Sequence, residues 1–343
     1  MVCEPPDTNE LMAAPTSLRP SLAERFRDRL PLGPETPIVT LGEGDTPLLP
    51  APRLSARLDL DVWLKWEGAN PTGSFKDRGM TVALSKALEE GRRAVVCAST
   101  GNTAASAAAY AARAGLTALV LQPTGAVALG KLAQARALGA RVLEVRGSFD
   151  QALAAARQLT ERGTHVLVNS LNPYRLEGQK TAAFEILEEL GAPPAVLALP
   201  YGGGGNTRAY VMGFEEAGAG QPRVVAVESS RRAETAASAI RISAPAHARE
   251  VEQGLERTGG TIVQVSDEAL LEAWRALAQE EGIFCEPASA AGVAGLVQAQ
   301  LAAGTRVVCV ITGHGLKDPE AVERLTPPPL MVDPDPDAIA AVA

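Results

Sequence analysis

Eight short apolar runs, alternating with alanine-rich helical stretches, predict an α/β fold of two domains with mostly parallel sheets flanked by helices. The runs are continuously apolar, as strands buried on both faces must be, and amphipathic segments separate most of them. Eight such units in 343 residues exceed what one doubly wound sheet holds comfortably, and a chain with 46% hydrophobic content can bury two cores.

From the N-terminus, residues 1–37 read as an arm, rich in proline and poor in apolar periodicity, apart from a helical pattern around Leu22 to Leu30. Asn70-Pro71 and Thr72-Gly73-Ser74 form a turn, because proline restricts the residue before it and glycine supplies unusual backbone angles. Met80, Ala83, Leu84, Ala87 and Leu88 then recur at helical spacing up to Gly91, a C-cap. The strand runs are 94–98, 118–122, 141–145, 166–169, 196–199, 224–227, 262–265 and 307–311. A proline-rich tail, residues 329–343, follows. The domains implied are 38–69 with 173–328, and a smaller one spanning 70–172.

Composition narrows the partners. A net charge of -8 offers no basic groove for nucleic acid. Cys3, Cys97, Cys285 and Cys309 are scattered without a CxxC pair, and the last three sit in apolar runs, as reduced thiols of a cytoplasmic protein do. His165, His247 and His314 lack HExxH spacing, so no metal site is expected. No uncharged apolar stretch reaches the ~18 residues of a membrane span, and the N-terminus lacks the basic and apolar regions of a signal peptide.

Lys76 opens the helix after the Ser-Phe turn, where its charge opposes the helix dipole at a cost of roughly 0.3–1 kcal/mol and the neutral amine is easier to reach. A surface salt bridge to Asp77 or another carboxylate and a Schiff-base nucleophile are equally compatible with this segment alone. Ligands of parallel sheets collect where strands hand over to helices, and four loops lie there. Ser99-Thr100-Gly101-Asn102-Thr103 offers hydroxyls, an amide and backbone N–H groups, a cradle for an anion or an ordinary helix cap. Gly202-Gly203-Gly204-Gly205-Asn206 follows a buried strand and opens a helix. It lacks the Gly-Lys-Ser/Thr of a Walker loop and the GxGxxG spacing of a dinucleotide fold, and suits a single phosphate monoester. Thr312 ends the last strand, before Gly313-His314-Gly315, and can donate or accept a hydrogen bond. The polar connection 169–180 carries Arg175, a fork for phosphate or carboxylate. An amine, a phosphate cup, an amide and a hydroxyl at a strand end are what pyridoxal 5'-phosphate requires for its aldehyde, its ester, its ring oxygen and its ring nitrogen.

The stretches GEGDTPLL, KWEGANPTGSFKDRGM, CASTGNTAASAAAYAARAG, VALGKLAQARALGARV, LVNSLNPYRLEGQKTAAFEI, EEGIFCEPASAAGVAGL and ITGHGLKDP cover most of the chain from Gly42 to Pro319. In them the sequence resembles the threonine synthases, fold type II pyridoxal-phosphate enzymes related to the tryptophan synthase β subunit. The resemblance implies that Lys76 carries the cofactor, Asn102 meets its ring hydroxyl, Gly202, Gly203, Gly204, Gly205 and Asn206 hold its phosphate, and Thr312 bonds its ring nitrogen. It implies that Ser99, Thr100 and Thr103 bind the substrate, with Arg175, Ser170 and Asn206 near the substrate phosphate, and that the smaller domain closes over the site of a homodimer. The activity implied is conversion of O-phospho-L-homoserine and water to L-threonine and phosphate. Two departures stand out. Where this family has a Gly-Asn-Ala-Gly-Asn type of phosphate loop, this chain reads Gly-Gly-Gly-Gly-Asn, a form nearer to the serine/threonine dehydratases, and SSRRAETAASAIRISAPAHARE matches only in part. Both border the site, which keeps dehydration of threonine or serine, or a related replacement by a specialised paralogue, as the alternatives. A catalytically silent binding protein is a third, against which Lys76 argues.

Overall fold

In the computed structural model, which describes residues 20–99, 101–124, 129–340 and 342, the apolar runs are divided between two sheets. The elements run α1 (Leu22–Arg25), β1 (Leu48–Pro50), α2 (Pro52–Leu58), β2 (Asp61–Trp66), α3 (Lys76–Glu89), β3 (Ala94–Ala98), α4 (Asn102–Arg113), β4 (Thr117–Pro123), α5 (Leu129–Ala137), β5 (Arg141–Val145), α6 (Phe149–Glu161) and β6 (Val166–Leu167). They continue with α7 (Pro173–Leu190), β7 (Val196–Pro200), α8 (Gly205–Ala217), β8 (Arg223–Ser229), α9 (Ala248–Thr258), β9 (Thr261–Val265), α10 (Asp267–Gln279), α11 (Ala291–Leu296), β10 (Arg306–Ile311), α12 (Pro319–Leu325) and α13 (Pro336–Ala340).

Each of the eight expected runs is a strand. β5-β4-β3-β6 form one sheet, parallel throughout, and β1-β2-β10-β7-β8-β9 form the other, parallel except at the β1 edge. Both sheets are covered on both faces. Met80, Leu84 and Tyr110 of α3 and α4 pack on one side of the smaller sheet and Ala152 and Ala156 of α6 on the other. Phe214 and Ile186 of α8 and α7 cover one face of the larger sheet, and Trp274, Leu277 and Val293 of α10 and α11 the opposite one. β6 is shorter than its apolar run because Asn169 leaves the ladder and pairs through its amide with Ala98, accepting from the N–H at 2.9 Å and donating to the carbonyl at 2.8 Å.

β1 and β2 were not among the expected strands. β2 reads Asp-Val-Trp-Leu-Lys-Trp, and its Lys65 is fully buried, 3.0 Å from Glu185 and 2.8 Å from Glu189 of α7. The segment 169–180 also differs from its expected form. It is not a polar connection throughout, since α7 begins at Pro173, with Asn172 accepting the Tyr174 N–H at 3.0 Å and proline at the first helical position. Gly91 falls one residue beyond the C-cap of α3 at φ +68°, and the bonds Gly91 N–H to Leu88 O and Arg92 N–H to Ala87 O close a Schellman motif. In the N-terminal stretch, Leu22, Phe26, Leu30 and Leu32 pack against Val82 and Phe184, so the chain from Pro20 onward is docked on α3 and α7.

α3 crosses α7 at a pair of glycines. A Cβ on Gly79 would lie 2.5 Å from the Arg175 carbonyl, and one on Gly178 would meet the Arg78 carbonyl at a forbidden separation. Beside the crossing, the buried guanidinium of Arg78 bonds Glu67 at 2.7 and 2.8 Å, Glu185 at 2.7 and 2.6 Å and Thr46 at 2.9 Å. Burial opposes that charge and the two carboxylates restore it, holding Arg78 well above its ordinary pKa. Glu185 is in turn held down to about 2, mainly by Arg78 working against burial. These bonds tie 43–47, 65–70, α3 and α7 into one block that presents Lys76 at its edge.

Candidate active site

Lys76 stands where the two sheets meet. The Phe75 N–H donates to the Thr312 carbonyl at 3.1 Å, the His314 N–H to the Gly73 carbonyl at 2.9 Å, and Ser74 pairs with Gly313, so the end of β10 is stitched to the turn that opens α3. The Lys76 ammonium lies 3.7 Å above the Phe75 ring. Among the described residues it has no carboxylate in ion-pair reach. Asp77 is occupied elsewhere, accepting the Thr72 N–H at 2.7 Å and the Thr72 and Ser106 hydroxyls at 2.6 Å each. The surface salt bridge is thereby ruled out for this pair. Burial lowers the Lys76 amine to about 7, the Arg175 guanidinium adds to the shift, and Glu286 partly opposes it.

Thr312 is buried at the strand end, its hydroxyl 2.9 Å from that of Ser289, which also accepts the Gly313 N–H at 2.9 Å. Asn102 opens α4 and donates through its amide to the buried Glu286 at 3.0 and 3.2 Å. Burial raises the Glu286 carboxyl, and the Asn102 bond pulls the other way. Arg175 sits in the first turn of α7, only 1% exposed, with one bond to the Val168 carbonyl at 3.1 Å and its Nε without a partner. Burial depresses it to about 10.

The tetraglycine run turns tightly before α8. Gly204 has φ +84°, and a Cβ on Gly202 would come 3.1 Å from the Ile240 backbone. Directly after it, Asn206 Nδ2 and Thr207 Oγ1 are buried without partners. Ser170 approaches the same turn, its Cβ 3.6 Å from where a Gly205 Cβ would be. Lys76, Arg175, Asn102, Thr312, Ser170 and the glycine turn with Asn206 therefore lie on converging elements. Ser99 is spent on a local bond, accepting the Gly101 N–H at 3.3 Å, Thr103 is half-buried on α4, and Thr100 lies outside the described residues. Glu286, Ser289 and Lys317 were missed in the sequence reading. Glu286 carried a signal, a charge inside the apolar run CEPASAAG, whereas nothing in the Leu316-Lys317-Asp318 sequence marks Lys317, which donates to the Thr72 carbonyl at 3.0 Å.

A carbonyl cofactor with an anionic ester fits these residues. Asn206 and Thr207 leave buried polar atoms without partners beside a glycine turn and a helix N-terminus, and an amine close to neutrality stands within the same set.

Residues 39–313 match the family described as pyridoxal-phosphate dependent enzyme. The chain is 53% identical over 319 residues to a threonine synthase from Synechocystis sp., covering 87% of this chain and 84% of that protein. It is 50% identical to a threonine synthase from Halalkalibacterium halodurans, covering 87% and 90%. Among solved structures, a T.th. threonine deaminase superposes with a TM-score of 0.68 at 29% identity over 78% of this chain and 92% of that one. A maize serine racemase does so at 0.72 with 20% identity over 82% and 91%.

Proposed function

We propose a threonine synthase: the chain belongs to the pyridoxal-phosphate-dependent enzyme family, and its reaction is conversion of O-phospho-L-homoserine and water to L-threonine and inorganic phosphate. The observation that carries the reading is an unpaired Lys76 amine held near neutrality, with the Arg175 charge and the partnerless Asn206 amide in the same set of elements.

When bound, the cofactor supplies an aldehyde for that amine and a conjugated ring that draws electrons from the substrate's carbon chain. Gly202 to Asn206 would hold its ester, Asn102 its ring oxygen and Thr312 its ring nitrogen. A hydroxyl at Thr312 cannot offset a positive ring nitrogen as a carboxylate would, which favours elimination and replacement over transamination. Ser99, Thr100 and Thr103 would hold the substrate, and Arg175, Ser170 and Asn206 its phosphate. With its amine free, Lys76 would be placed to move protons at Cα, Cβ and Cγ of the substrate, because an amine near neutrality both accepts and returns a proton. Departure of phosphate from Cγ would be assisted by the Arg175 charge; Cγ takes up a proton in place of the one removed from Cβ, and water then gives its hydroxyl to Cβ and its remaining proton to the phosphate. The smaller domain, residues 70–172, closes over the site and excludes bulk water in this reading, which also makes the protein a cytoplasmic homodimer.

Likeness to threonine deaminase and the glycine-only phosphate loop favour dehydration as the second reading. Borohydride should fix the cofactor on Lys76, located by peptide mass mapping. Release of phosphate with formation of threonine supports the synthase. 2-Oxobutyrate from threonine, without turnover of phosphohomoserine, supports the dehydratase and overturns the first reading.

A further inference from the structure

We propose that His247 is a positioning residue that fixes Ser170 for the substrate's phosphate and so sets the preference for phosphorylated substrates. This rests on the reading of Ser170 given above. His247 lies between β8 and α9, in the segment that departs from the family pattern, and is only 3% exposed. Three bonds fix it. Its backbone N–H donates to the Gly203 carbonyl at 3.1 Å, its Nε2 is 2.9 Å from the Ser170 carbonyl, and its Nδ1 is 3.3 Å from an Arg208 guanidinium nitrogen that also bonds Glu250 at 3.0 Å.

The partners dictate the tautomer. A carbonyl only accepts, so Nε2 carries the proton, and a guanidinium only donates, so Nδ1 does not. The ring is thus a neutral strut with one direction of donation. It spans the two halves of the site, since Ser170 follows β6 of the smaller sheet and Gly203 to Gly205 follow β7 of the larger. A Cβ built on Gly205 would be 3.5 Å from the ring and 3.6 Å from the Ser170 Cβ, which puts the imidazole and Ser170 side by side at the N-terminus of α8, where an anion is favoured. The Ser170 hydroxyl makes no hydrogen bond among the described residues, which leaves it for a ligand.

The test uses the holoenzyme, with inorganic phosphate and L-threonine as equilibrium probes followed through the cofactor's absorbance. His247→Leu should raise the phosphate Kd and the KM for phosphohomoserine about tenfold, the effect of one hydrogen bond that positions a charged ligand's partner. kcat should stay within about threefold and L-threonine, which has no phosphate, should bind as before. His247→Gln, whose amide can donate to Ser170 and accept from Arg208, should restore most of the loss. In a Ser170→Ala background His247→Leu should add little, because the ring still meets the backbone carbonyl of residue 170 but the hydroxyl it positions is gone. Equal weakening of phosphate and threonine, full additivity with Ser170→Ala, or a lowered melting temperature with unchanged phosphate Kd would overturn the role. A wild-type holoenzyme that binds phosphate, loses it in His247→Leu, yet never turns over phosphohomoserine would overturn the substrate reading and leave His247 standing.

Discussion

Gly178→Ala tests whether the position of Lys76 depends on how closely α3 and α7 cross. The added methyl would lie 2.7 Å from the Arg78 carbonyl carbon and 2.8 Å from the Gly79 Cα, with the Arg78 oxygen closer still. Carbon contacts relax near ~3.5–4.0 Å, so the crossing must open by about 1 Å, and both surfaces are backbone, with no rotamer to yield. Overpacking of this kind costs roughly 1–3 kcal/mol, here at the upper end, and alanine returns about 1 kcal/mol of helix propensity. The net loss of about 2 kcal/mol corresponds to a fall of roughly 4–8 °C in Tm at the sensitivity of a domain of this size. Because α3 carries Lys76 at its start and α7 carries Arg175 in its first turn, the same opening should lower kcat/KM by on the order of 100-fold. Thermal unfolding of the holoenzyme and a phosphate-release assay read the two effects. Gly33→Ala is the control, since its methyl would meet only Thr36 and Glu89 at 3.6 and 3.7 Å, and it should leave both within error. A Gly178→Ala protein as stable and active as wild type would refute the argument that this crossing sets the site.

Lys76→Ala should abolish covalent attachment, so that pyridoxal phosphate is lost on dialysis, while the melting temperature of the cofactor-free protein changes by no more than a few degrees, because the lysine gives up its contact with the Phe75 ring but no ion pair. Reaction of the cofactor-free protein with pyridoxal phosphate should rise through about pH 7 and level off above it, as the neutral amine forms. An amine with an ordinary pKa would keep climbing toward pH 10. The same shift has a stability consequence: between about 7 and 10.5 the unfolded chain holds the proton that the folded one has released, so stability of the cofactor-free protein contributed by this group rises with pH across that window. Arg78→Met should cost about 3–5 kcal/mol in denaturant unfolding at neutral pH by leaving Glu67 buried without its cation and Glu185 with Lys65 alone. In wild type, Glu185 stabilises fully above its ordinary 4.5 and loses that contribution as pH falls toward about 2; in Arg78→Met most of that contribution is already absent, so the gap between the two proteins narrows on acidification.

The parts legible in the sequence are those whose environment is local. A strand buried on both faces must be apolar along most of its length, so β3, β7, β8 and β10 announced themselves, the more exposed β5 and β9 showed through their branched aliphatic residues, and Asn172-Pro173 is a helix start that the polar residues after it obscured. Lys65, Arg78 and Arg175 are different. Lys65 and Arg78 meet carboxylates of the distant α7, Arg175 turns back onto the Val168 carbonyl just ahead of its own helix, and nothing within a few residues of Lys65 in the sequence marks β2 as a central strand. The same holds for the property of Lys76 on which the chemistry depends. Its neighbour in sequence, Asp77, would by proximity be its counter-ion and would keep it charged. The fold instead gives that carboxylate three donors from Thr72 and Ser106 and gives Glu286 the Asn102 amide, so both nearby acids are engaged before the lysine can pair with either. Burial and the Arg175 charge then act on an amine with no ion pair to hold its proton, and neutrality at about 7 follows from how the acids are occupied as much as from where the lysine lies.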